Sequence, residues 1–187
     1  MRRIGIYGGT FDPIHHGHLI LAREARERLN LEKVILVPAA VSPFKNAPGT
    51  SPSDRLAMLK AAIREEPSFA VDDLELHRAP PSYTIDTIEL IHRREPDAEL
   101  FYLLGQDNVA GLPQWHRFQD LQKLIRFVVL DRSGDHRAES HDLVIRRKID
   151  IAATEIRNRV ASGQSIRYLV PDAVEQIIRH RRLYQEH

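Results

Sequence analysis

The chain has 187 residues, enough for one ordinary domain, and its 42% hydrophobic and 28% charged content is that of an average globular protein. Its 27 basic and 26 acidic residues leave a net charge of +1, which argues against nucleic acid, membrane surfaces or acidic polymers as partners. Cysteine is absent, so disulfides and thiolate metal sites are excluded, and no apolar run has the length of a signal-peptide core or a membrane span. One domain over 1–187, in the cytoplasm, is the expectation.

A short apolar run at 4–7 reads as the first strand. It feeds the turn Gly8-Gly9-Thr10-Phe11-Asp12-Pro13-Ile14-His15-His16-Gly17-His18, and helical periodicity follows over 19–29. Further strands are predicted at 34–37, 69–71, 100–104 and 127–130, with helices at 53–65, 84–94 and 118–126 between them. Ser53 is the predicted cap of the 53–65 helix, which Pro67 ends. The proline-bearing stretch 39–52 is too long for a simple connector and is expected to border a site. Residues 131–142 are polar and read as a loop; two helices are then expected at 154–161 and 172–184, the second opening at Pro171. Strands separated by helices predict an α/β fold: a Rossmann-like, doubly wound parallel sheet with helices on both faces and a C-terminal helical segment.

Ligands of such sheets lie beyond the carboxyl ends of the strands, near the reversal of strand order. Four segments collect there: 8–18, 38–45, Gly105-Gln106-Asp107, and Arg132. Strand, glycine turn and helix together place backbone N–H groups and a positive helix end against a phosphate. His15 and His18, at i and i+3, add donors able to carry positive charge as negative charge develops on a ligand. A zinc site on His15, His16 and His18 is one rival, though no cysteine supports it; plain solvation of these histidines is another. No G-x-G-x-x-G and no P-loop lysine is present, so phosphate must be held by histidine, arginine, hydroxyl and amide groups.

Near the other end, Thr154 stands where a helix cap belongs and Arg157 lies three residues on, a pair suited either to phosphate or to ordinary capping. Lys45 and Arg55 read singly as solvated charges beside the long loop. Trp115 is either a packing anchor or a platform for a flat ring. Asp107 suits ribose hydroxyls or a helix cap.

Taken together, these residues resemble the nucleotidyltransferase superfamily with the H-x-G-H signature, here His15-His16-Gly17-His18, and within it the bacterial branch acting on nicotinate nucleotides. Residues 8–15, Pro81-Ser82-Tyr83-Thr84-Ile85-Asp86-Thr87, the block from Gly105-Gln106-Asp107 to Leu112-Pro113-Gln114-Trp115, and 151–157 match its motifs in order. The resemblance implies adenylyl transfer from ATP to nicotinate mononucleotide, giving deamido-NAD and pyrophosphate, with Mg2+ accompanying ATP and no protein metal ligands. It implies catalysis by His15 and His18. ATP would be bound by Gly8, Gly9, Thr10, Phe11, His15, His18, Gly105, Asp107, Thr154 and Arg157. Lys45 would reach the phosphates from the loop, Tyr83 and Thr84 would hold the nicotinate carboxylate through amides, and Trp115 would stack on the pyridine ring. Ala152 and Ala153 depart from the family's serines and remove two hydroxyl donors. Nicotinamide mononucleotide or phosphopantetheine as acceptor, and a non-catalytic nucleotide sensor, remain open at this point, as does a homo-oligomer.

Overall fold

The computed structural model describes residues 1–40, 49–79, 81–132 and 143–185. Six strands make one sheet: Arg2–Gly9 (β1), Lys33–Pro38 (β2), Phe69–Val71 (β3), Ala98–Gly105 (β4), Ile125–Asp131 (β5) and Leu143–Arg146 (β6). Their order is β3-β2-β1-β4-β5-β6 and every pairing is parallel. The helices are His16–Leu29 (α1), Pro52–Ala62 (α2), Thr84–Arg94 (α3), Phe118–Leu124 (α4), Ala153–Ala161 (α5) and Asp172–His180 (α6), with a 3-10 helix at Gln106–Gln114. None of the described helices is long and apolar enough to cross a membrane.

The central strands read as continuous apolar runs because both faces are covered. Ile4, Ile6, Leu100, Tyr102 and Leu104 point to one face, where Ile85, Ile88 and Ile91 of α3 and Leu121 of α4 cover them. Tyr7, Phe101 and Leu103 point to the other, against Leu21, Ala22 and Ala25 of α1, Met58 and Leu59 of α2, and Val174 and Ile178 of α6. The doubly wound sheet with helices on both faces is thus as predicted. Strand order reverses between β1 and β4, so a crevice opens beyond Gly9 and Gly105.

Three local features differ from the expectation. Ser51, not Ser53, caps α2: its Oγ accepts the Asp54 amide at 3.0 Å, and Pro52 takes the first helical position. The edge strand β6 went unforeseen because four residues ending in arginine carry too little alternation to register as a strand. The 3-10 helix has no 3.6-residue apolar stripe to announce it, and Leu112 is its one buried residue. Of the expected 131–142 loop, residues 133–142 lie outside the described residues, while Asp131 closes β5.

Candidate active site

A cleft of about 490 Å³ opens at the carboxyl ends of β1, β4 and β5. It gathers the ten residues expected to hold ATP: Gly8, Gly9, Thr10, Phe11, His15 and His18 from the first turn, Gly105 and Asp107 after β4, and Thr154 and Arg157 on α5. Arg132, just past β5, joins them; topology had placed it at the strand end without giving it a role.

The two histidines organise the start of α1. His15 is its N-cap, and its own backbone N–H donates to Nδ1 of His18 at 3.3 Å. With that lone pair engaged, a neutral His18 carries its proton on Nε2. The imidazoles stack, with centroids 3.7 Å apart and planes at 28°, while Phe11 stands edge-on to His18 at 5.1 Å. Phe11 adopts φ 49, a left-handed turn that swings the chain back under the histidines. Gly17 leaves room for the stack, since a Cβ on it would lie 3.0 Å from the His15 ring and press on it. The His16 amide is already bonded to Leu169 O at 2.9 Å and the His18 amide to His15 O at 3.0 Å. The first turn of α1 therefore offers imidazoles more than free amides.

Burial pushes the His15 imidazole down to about 3, with Arg132 and His16 adding to the effect. Desolvation, then His15 and Arg132, likewise holds His18 well below the usual histidine range. The chain by itself thus keeps both rings neutral at pH 7, and positive charge on them has to be induced by an anion. His15 Nδ1 is buried without a hydrogen-bond partner among the described residues.

Opposite stands α5. Its N-cap is Ala152, not Thr154, which is the second residue of the helix. The threonine hydroxyl therefore does no capping, and the first-turn amides lack intrahelical acceptors at the cleft wall. The Thr154 Oγ1 instead accepts Arg157 Nη2 at 3.2 Å, and Arg157 Nη1 donates to Asp12 O at 2.7 Å. The first turn and the last motif are locked together by that second bond.

Beneath the turn lie groups the sequence did not reveal. Arg55, expected on the surface, is fully buried and donates from Nη1 to Thr10 O and Ala39 O, both at 2.8 Å. It shares the inner stripe of α2 with Met58 and Leu59 at i+3 and i+4, the one signal that marked it. The buried Asp12 carboxylate accepts from Thr50 Oγ1 and from Tyr184 Oη, the latter at 2.6 Å. Lys45 lies outside the described residues.

Tyr83, Thr84 and Trp115 do not line the cleft. Tyr83 caps α3 and Thr84 opens it; the Tyr83 ring lies over His116 at 4.4 Å. Trp115 is half-buried, edge-on to Tyr102 at 5.9 Å and to Phe127 at 6.4 Å. Among the described residues no three His, Asp or Glu side chains form a group that could hold a metal.

A cytidylyltransferase-like family model matches residues 6–159. A probable nicotinate-nucleotide adenylyltransferase of Herpetosiphon aurantiacus is 42% identical over 98% of this chain and 99% of its own length. One from Shouchella clausii is 44% identical over 98% and 97%. In three dimensions the chain is similar to Plasmodium falciparum nicotinic acid mononucleotide adenylyltransferase complexed with NaAD, with a TM-score of 0.79 at 20% identity and 98% of each chain covered, a likeness of fold. A family model over most of the chain, and relatives above 40% identity along nearly all of it, establish that the chain belongs to the cytidylyltransferase-like family, among the nicotinate-nucleotide adenylyltransferases.

Proposed function

We propose that the cleft binds ATP and passes its adenylyl group to nicotinate mononucleotide, giving deamido-NAD and pyrophosphate. The observation that carries this reading is the joining of the first turn and α5 across one cleft by Arg157, with two imidazoles and Arg132 beside them.

The acceptor's 5′-phosphate, with a second pKa near 6, is mostly dianionic at pH 7. It attacks the α-phosphorus of ATP; the α–β bridging P–O bond breaks and its electron pair leaves on pyrophosphate. No general base is required, which suits histidines held neutral. The obstacle is electrostatic: two polyanions must meet, and charge must build on the leaving group. Here His18 Nε2–H donates to the phosphates, Arg157, Arg132 and the first amides of α5 hold the β- and γ-phosphates, and Asp107 takes the ribose hydroxyls. Positioning of this kind contributes roughly 7–11 kcal/mol in favourable cases, and aimed donors about 3 kcal/mol each. A divalent metal accompanies ATP in this family; we assign Mg2+, which would enter with the triphosphate and offset its negative charge while Arg132 and Arg157 hold the phosphates.

At the acceptor end, the α3 amides beginning at Thr84 face the nicotinate carboxylate with the positive end of the helix, and Trp115 covers the pyridine ring. This arrangement favours nicotinate over the uncharged nicotinamide. Pyrophosphate release measured with nicotinate mononucleotide, nicotinamide mononucleotide and phosphopantetheine at equal concentration tests it. Fastest release with the first is expected. Faster release with either of the others would overturn the acceptor, and tight ATP binding with no release would leave a nucleotide sensor.

A further inference from the structure

Tyr102 has no part in the roles above, yet it touches both halves of the site. It lies on β4 directly opposite Ile6 of β1, so its side chain shares a sheet face with Ile6 and Gly8. Its hydroxyl sits so close against Gly8 that a Cβ there would collide with the oxygen and stand 3.1 Å from Cζ. Tyr102 belongs to the apolar cluster that also holds Ile85 of α3 and, packed against it, Tyr83 at the head of that helix. The ring is buried, and Trp115 and Phe127 stand edge-on to it at 5.9 and 6.2 Å. One buried phenol thus stands between the phosphate turn and the tryptophan, within the cluster that seats the start of the acceptor helix.

We propose that Tyr102 is a positioning residue that sets the acceptor pocket in register with the phosphate turn. The inference rests on the adenylyl transfer proposed above. In-line attack tolerates little error, since a displacement near 1 Å costs about 10²-fold in rate. Both reaction partners are large and held at separate ends, so that register has to be carried by the fold. The absence of a side chain at Gly8 follows from the same contact: the turn closes onto the phenol instead of onto a methyl group.

Tyr102→Phe keeps the ring and removes the hydroxyl. With the hydroxyl no longer propping the turn against the acceptor pocket, the KM for nicotinate mononucleotide is expected to rise about three- to tenfold, with the KM for ATP within about twofold. Phe127→Leu, which removes the aromatic edge shared by Tyr102 and Trp115, is expected to give the same split, and the double variant to be no worse than either single one. Gly8→Ala is expected to lower kcat at least about tenfold, and Tyr102→Phe added to it to recover part of that loss by removing the colliding oxygen. Unchanged KM values, an equal rise in both, or additive losses in the double variant would overturn the positioning role. If the unmodified chain released no pyrophosphate with nicotinate mononucleotide, the proposed reaction itself would fall, a result separable from any of these.

Discussion

Replacing His15 by glutamine isolates the proton linkage built into the cleft. His15 is 1% exposed and its folded pKa is about 3, against about 6.5 in an unfolded chain. Between those values the unfolded chain binds the extra proton, so stability is complete above pH 6.5 and falls as pH drops towards 3. At pH 5 the unfolded imidazole is about 1.5 pH units below its pKa, a loss of about 2 kcal/mol relative to neutral pH. Urea unfolding at pH 7.5 and pH 5.0, followed by far-ultraviolet circular dichroism, reads the difference. Unmodified protein is expected to lose about 2 kcal/mol more than His15→Gln over that interval. Part of the contribution from His18 cancels because it is present in both proteins, and removing its neighbour moves the rest in the same direction. Equal losses in the two proteins would mean that His15 accepts a proton within the fold at pH 5, and the account of a desolvated, neutral pair would be wrong.

His18→Ala removes the Nε2 donor while keeping the fold, and turnover is expected to fall by at least about 10²-fold in a pyrophosphate-release assay; near-normal turnover would remove His18 from the catalytic role. Trp115→Ala is expected to raise the KM for nicotinate mononucleotide more than that for ATP, and an equal rise would count against ring stacking. Arg55→Met leaves the Thr10 and Ala39 carbonyls without their shared donor. Its cost is about 3 kcal/mol, or a fall of roughly 6–12 °C in melting temperature by calorimetry, and a change under about 2 °C would mean that the guanidinium is replaceable by any side chain of its length.

What could be read in advance divides along physical lines. The sheet was legible because β1, β2, β4 and β5 are covered on both faces, and double burial prints an uninterrupted apolar run into the chain. The convergence of Gly8–Gly9, Gly105 and Arg132 was legible too, because parallel topology alone sends strand ends to one edge. Arg55 was not: periodicity assigns faces by hydrophobicity, and an arginine whose partners are backbone carbonyls leaves no second charged residue to betray it. Thr154 misled for a related reason. A hydroxyl near a helix start suits a cap, but Ala152 occupies that position, and the threonine turns to Arg157 instead.

The same distinction explains Asp12 and Tyr102. The carboxylate of Asp12 is met by Thr50 and by Tyr184, which is 172 residues away along the chain, while its carbonyl accepts Arg157 from 145 residues away. Nothing local in sequence announces such pairs, because their spacing is set by the path of the whole chain. These long-range bonds nonetheless decide what the legible motif can do. A turn of two glycines and two neutral imidazoles is a weak anion site by itself. Held from beneath by Arg55, tied sideways by Arg157 and Tyr184, and backed by Tyr102, it is fixed in one shape before any anion arrives, so that binding energy is not consumed in ordering it.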